Sequence, residues 1–183
     1  MKAVLVILFS VLSIYGYAQD KDSLLVLFWN LENFFDWKDQ GTGESDCEFS
    51  SRGSKSWTKS RFYSKCNAVS KSLFWISDQY GRMPDMLGVC EIENKGVLKR
   101  LLSSTLLRKY DYDIIHFDSR DRRGIDVAIL YRESTFQLLS TSLKTPVYDG
   151  VEMTTRALLD AQMRCIPSGD TLDFIVCHHP SKY

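Results

Sequence analysis

Three apolar runs in this sequence end directly on a side chain able to do chemistry: Trp29-Asn30, Cys90-Glu91 and Cys177-His178. Polar groups at strand ends commonly line the ligand crevice of an α/β sheet. Asn30 offers an amide oxygen and Glu91 a carboxylate, the hard oxygen donors that Mg2+ or Ca2+ prefers. His178 can place a proton donor over a phosphate oxygen. Singly, each has a plainer reading. An Asn after a strand is most often a turn former, and a Glu there is most often solvated. The His178-His179 pair before Pro180 is more telling, because paired imidazoles in an apolar context are uncommon.

The elements that must carry these residues follow from hydrophobic spacing. Leu24 to Trp29 and Met86 to Cys90 are apolar runs of strand length and predict buried strands. Thr58 to Tyr80 predicts a helix. Its Phe62, Cys66, Val69, Leu73 and Ile76 recur at alternating steps of four and three, and Gly81 and Pro84 stop it. A second helix is predicted from Gly96 to Arg108. Strands are then predicted at 112–117, 125–131, 136–143, 154–165 and 172–177, separated by Gly124, by Pro146 with Gly150, and by Pro167 to Asp170. This order implies an α/β fold with helices layered on the sheet. Residues 38–57 are rich in Gly, Ser, Asp and Lys and predict a long loop of the kind that often carries function.

The surroundings of these residues resemble one family. Phe28-Trp29-Asn30-Leu31-Glu32-Asn33-Phe34-Phe35-Asp36 resembles the opening motif of exported bacterial members of the endonuclease/exonuclease/phosphatase superfamily. Pro84 to Asn94, around Glu91, is similar to their second motif, and Asp118 to Arg132 to their third. Thr155-Arg156 resembles a fourth element. Cys177-His178-His179-Pro180-Ser181-Lys182 is similar to the motif usually read Asn-His-Trp-Pro-Ser-Arg.

The resemblance implies a partial four-layer α/β sandwich with its C-terminal half missing, because family members continue past the His-Pro-Ser motif to further Asp-x-Asn and Asp-His pairs. It implies Mg2+, or Mn2+ or Ca2+, ligated by Glu91, Asn30 and, less centrally, Glu32. Asn30, Glu91 and His178 would be catalytic. Arg156, Ser181 and Lys182 would contact substrate phosphate, and Asp126 would order the site or its own strand. His179 stands where an aromatic is usual and reads as packing. Cys177 replaces an Asn. The implied activity is metal-dependent hydrolysis of a phosphodiester or phosphomonoester, nuclease-like, with a nucleic acid among the candidate partners. Lipid or inositol phosphate hydrolysis and a non-catalytic fragment are the rivals.

Bulk properties bound these expectations. Met1-Lys2, the apolar run Ala3 to Ile14 and the small and polar residues up to Gln19 have the layout of a secretory signal peptide. The run is about 12 residues, short of the roughly 20 needed to span a bilayer, so no stable span is expected after cleavage. A mature domain over residues 20–183, periplasmic or extracellular, follows. Whole, the chain carries 23 basic and 23 acidic residues, and the leader holds Lys2 alone, leaving 22 against 23. That balance does not suit a protein gripping nucleic acid by net charge alone. Five cysteines in an exported chain leave at least one thiol unpaired; Cys47 and Cys66 could pair, and Cys90 and Cys177 read as buried small hydrophobes. No Cys or His spacing suggests zinc.

Overall fold

The computed structural model describes residues 23–41, 43–153 and 155–179. The leader expected over residues 1–19 lies outside them, as do Ser181 and Lys182. Nine strands and three α-helices are found among the described residues: β1 Val26–Phe34, α1 Glu44–Glu48, α2 Lys59–Tyr80, β2 Met86–Ile92, α3 Lys95–Ser104, β3 Tyr112–His116, β4 Asp126–Arg132, β5 Phe136–Lys144, β6 Val147–Tyr148, β7 Val151–Glu152, β8 Leu158–Cys165 and β9 Thr171–Val176.

Strands β1, β2, β4 and β3 form one mixed sheet in that order, with β1 and β2 parallel and the remaining pairs antiparallel. Strands β5, β8 and β9 form a second, antiparallel sheet. Successive side chains on a strand point to opposite faces. Leu87 and Val89 of β2 and Ala128 and Leu130 of β4 therefore pack under α2 and α3. Met86, Cys90, Val127, Ile129 and Tyr131 face the other way, onto Leu159, Ala161 and Met163 of the second sheet. The central strands of the first sheet are covered on both faces, which is why β2 and β4 read as unbroken apolar runs rather than alternating ones. Strand β1, expected to be buried, lies at the edge of the described sheet instead, with Val26 and Phe28 about half exposed. Helix, sheet and second sheet make three stacked layers, an α/β sandwich.

Both long helices are capped by residues the sequence supplies locally. The Thr58 hydroxyl accepts from the Arg61 N–H, and the Asn94 side chain accepts from the Val97 N–H. Helix α2 ends at Gly81, where φ is 70°. The predicted face of α2 is the buried one: Phe62, Cys66, Val69 and Leu73 all sit in the core.

Several expected boundaries move. Helix α3 stops at Ser104, and Leu106–Lys109 is a 3-10 turn, because the Thr105 side chain accepts from the Leu107 N–H and starts a new turn there. Strand β8 begins at Leu158, leaving Thr155-Arg156 just ahead of it. The loop at 38–57 holds the short helix α1, and Val147 to Glu152 closes a small hairpin. Cys90 is buried but Cys177 is only half-buried, since it lies past the last paired residue of β9. All five thiols are free; Cys66 is buried in the core while Cys47 is exposed, so the two do not pair. None of the described helices is long and apolar enough to cross a membrane.

Removing a core side chain tests the helix layer. Leu98→Ala, at a fully buried position, is expected to cost about 2–5 kcal/mol in urea unfolding. Trp75→Ala, on the exposed face of α2, should stay within about 0.5 kcal/mol of the parent.

Candidate active site at the ends of strands β1 and β2

Adjacent strands β1 and β2 both break register at the same end. The β1–β2 pairing shifts between Asn30 and Phe34, and the β2–β4 pairing between Cys90 and Ile92. Glu32, Asn33 and Glu91 have φ of 53°, 56° and 56°. Left-handed backbone at non-glycine residues is costly, and bulges of this kind re-aim side chains. Strained residues clustered like this mark functional sites more often than plain scaffold.

The bulges bring Asn30, Asn33 and Glu91 together. One Glu91 oxygen, Oε2, accepts the Asn33 N–H at 3.0 Å. The other, Oε1, stands 3.2 Å from His178 Nε2. The Asn30 side chain also bonds to this carboxylate. Because Asn30 Oδ1 already accepts the Glu32 N–H at 2.8 Å, its amide nitrogen is the end that donates to Glu91. Arg123, from the β3–β4 loop, donates to Asn33 Oδ1 at 2.6 Å. Burial pushes the Glu91 carboxyl up, but the bonds from Asn30 and Asn33, together with the charges of His178 and Arg123, outweigh it and hold the group below the usual carboxylate range. Glu91 is therefore an anion with a defined orientation.

A carboxylate has about four acceptor positions, and three donors are accounted for, so room remains for a cation. The second lone pair of Asn30 Oδ1 is a further hard donor. Mg2+ keeps several waters and needs only one or two carboxylates, so this donor set fits such an ion. Glu32 is exposed, and its carbonyl accepts from Lys65 Nζ at 2.6 Å. Burial lowers the Lys65 pKa, and the charges of Glu32 and Glu91 oppose that shift, so this cation sits close to both acids.

The other expected residues are placed differently. Arg156 is nine-tenths buried, with Nε 3.4 Å from Asp121 Oδ2, and its charge also acts on the Cys90 thiol. It faces an aspartate on the β3–β4 loop rather than open solvent. Asp126 lies one strand over: its Oδ1 accepts the Ser119 N–H at 2.9 Å and its Oδ2 stands 3.1 Å from His116 Nε2. It ties down the loop that carries both Arg123 and Asp121. His116, Asp118 and Asp126 are also the described His, Cys, Asp and Glu residues whose ligand atoms, one from each, lie within 4.8 Å of one another. His179 is exposed, with Nε2 3.8 Å from Cys177 Sγ.

The long loop docks on the same β3–β4 loop through backbone. Glu44 and Ser45 N–H groups donate to the carbonyls of Arg122 and Arg123 at 3.0 and 3.2 Å. A Cβ on Gly124, where φ is 71°, would sit 2.8 Å from Gly43 Cα. Below the site, the Asp36 N–H donates to Glu93 at 2.7 Å and Arg100 pairs with Asp36 at 3.1 Å. Burial, helped by the charges of Asp36 and Asp46, pushes the Glu93 carboxyl up to about 7.

Asn33, Arg123, Lys65 and Asp121 were not singled out from the sequence. Asn33, Asp121 and Arg123 stand inside the motifs around Asn30 and Gly124, and that membership was the available signal. Lys65 had none beyond its place on the first turns of α2.

Residues 25–183 match the Endonuclease/Exonuclease/phosphatase family, and the chain belongs to that family. A mannosyl-6-phosphatase of Bacteroides thetaiotaomicron is similar to it at 18% identity and a TM-score of 0.50, covering 84% of this chain and 50% of that one. TDP2 of D. rerio, solved with a single-strand DNA product, is 16% identical with a TM-score of 0.45, covering 83% and 44%. The human Nocturnin catalytic domain is 17% identical with a TM-score of 0.40, covering 57% and 40%. The chain thus spans about half the length of the solved structures it matches. No curated protein sequence is significantly similar to it.

Two carboxyls give opposite pH signatures. The Glu91 pKa is lowered on folding, so its stabilising contribution is present above its ordinary 4.5 and is lost as pH falls through the folded value. The Tm difference between parent and Glu91→Gln should shrink below about pH 4.5. Glu93 is raised, so its contribution is present below about 4.5 and lost as pH rises through about 7. Glu93→Gln should flatten the decline in Tm between pH 5 and 8.

Proposed function

We propose that the Glu91 site hydrolyses phosphate esters with the help of a divalent cation, and that phosphodiesters, including nucleic acid, are its substrates. The observation that carries this reading is the oriented, ionised Glu91 carboxylate bonded at one end to a backbone bulge and at the other to His178. Family membership supports the class of reaction. The chemistry of each residue supports the roles below.

Glu91 would hold the cation, Mg2+ or alternatively Mn2+ or Ca2+, with the Asn30 oxygen and Glu32 as further donors. When bound, such an ion withdraws charge from a phosphoryl oxygen. Asn30 and Asn33 fix the orientation of the carboxylate, which would spare it the reorganisation that an unrestrained side chain needs to hold a cation. His178, with Nε2 3.2 Å from Glu91 Oε1, would give a proton or a hydrogen bond to a phosphate oxygen as charge builds there. Arg123, anchored on Asn33, adds positive charge at the same rim, where its fork geometry matches two phosphate oxygens. Arg156 is paired with Asp121; Ser181 and Lys182, three and four residues after His178, remain phosphate contacts in this proposal. The leader over residues 1–19 would deliver the protein to the periplasm or the medium.

The test is turnover of bis(p-nitrophenyl) phosphate, p-nitrophenyl phosphate and plasmid DNA by residues 20–183, with Mg2+ or Mn2+ and with EDTA. Metal-dependent turnover should fall to background in Glu91→Ala and by about 100-fold or more in His178→Ala. A folded sample that turns over none of the three with either metal would overturn the reading for this chain.

A further inference from the structure

The charges of this neutral chain are not evenly spread. From Lys95 to Tyr110 there are five cations, Lys95, Lys99, Arg100, Arg108 and Lys109, and no Asp or Glu. The segment comprises α3 and the 3-10 turn after it. Four of the five line one open cavity of about 480 Å³ between α3 and strand β3. Tyr112 and Ile114 form its buried apolar floor.

The single carboxylate in the lining, Asp113, is already engaged: Oδ1 accepts the Ile114 N–H at 2.7 Å and Oδ2 accepts from the Tyr131 hydroxyl at 3.2 Å. Arg100 is committed at the inner end to Asp36, and Arg108 donates from Nη1 to the Thr105 carbonyl at 3.3 Å, leaving its other donors outward. Lys95 and Lys99 make no ion pair among the described residues. They are four apart on α3 and so share one face of the helix. Strand β3 is the last strand of its sheet, and its outer edge has no strand partner among the described residues.

We propose that this groove binds a phosphodiester strand, a nucleic acid, along its length. A single small anion would need its cations to converge, whereas these run the length of α3, about 15 Å for ten residues, and on to Arg108. A lipid surface would need a flat or convex face with apolar side chains protruding, whereas here the cations line a concavity whose apolar residues are its floor. Repeated phosphates along a flexible strand fit both the spacing and the sign. Lys95, the first residue of α3 and a residue of the groove's lining, follows Glu91 by four residues in the chain. The groove would bind whether or not Glu91 turns substrate over.

The experiment is fluorescence anisotropy of a labelled 20-nucleotide oligothymidine with residues 20–183 in EDTA, so that binding is read without turnover. With three phosphates neutralised by Lys95, Lys99 and Arg108, log affinity against log salt should have a slope of about −2, or about 20-fold weaker binding at 200 mM than at 50 mM salt. Lys95→Ala with Lys99→Ala should bring the slope to about −0.7 and weaken binding at 50 mM salt about tenfold or more. Circular dichroism and Tm should be unchanged, since Lys95 is half-exposed and Lys99 exposed. Arg123→Ala is the control that alters the Glu91 rim and leaves the groove. Equal binding by parent and double variant would overturn the proposal. So would a parent that ignores the oligonucleotide but binds vesicles containing 30% phosphatidylserine through the same two lysines.

Discussion

Everything at the candidate site depends on one carboxylate kept charged in a half-buried place. Glu91 can remain ionised there because donors surround it: the Asn33 N–H, the Asn30 amide, and His178 with Arg123 behind. A regular strand could not make that arrangement, since its N–H groups point sideways into the ladder. The left-handed turns at Glu32, Asn33 and Glu91 free one backbone N–H from the sheet and swing the carboxylate towards it. The cost of three unfavourable backbone conformations is met by the packing around them. Leu31, Phe34 and Ile92, the apolar residues flanking the bulges, are fully buried and hold both strand ends in place.

Around this centre the β3–β4 loop acts as a common bracket. It sends Arg123 to Asn33 and Asp121 to Arg156, and its carbonyls receive the long loop that follows β1. Asp126 and His116 pin its two ends. A loop tied at so many points is a rigid mount, and rigid mounts suit groups that must meet charge without reorganising. The long loop between β1 and α2 is held at its far side by Asp36, Glu93 and Arg100, a buried polar cluster directly behind the site. The basic groove beside α3 shares Arg100 with that cluster, so the rim, the loop and the groove are mechanically joined.

Much of this was legible beforehand for identifiable reasons. The face of α2 could be read because Phe62, Cys66, Val69 and Leu73 recur at helical spacing over about three turns. Strands β2 and β4 could be read because both their faces are buried. Asn30, Glu91 and His178 stood out because each ends an apolar run. Boundaries set by side-chain caps were harder: Thr105 ends α3 early through one hydroxyl contact, which no periodicity reports. Arg156 was read as a substrate contact from its motif, and nothing local shows that Asp121, 35 residues away, faces it.

The sequence by itself determined the elements, the family, and the three residues that close apolar runs, because hydrophobic period and motif order are local properties of the chain. Tertiary structure alone decided which of those residues meet. Glu91 lies in β2 of the first sheet and His178 two residues past β9 of the second, 87 residues apart in the chain, and only the stacking of the two sheets brings their side chains to 3.2 Å. The positive φ angles were likewise unreadable. Glu32, Asn33 and Glu91 have no intrinsic preference strong enough to impose a left-handed turn, so the pairing of β1 with β2 and the burial beneath them impose it.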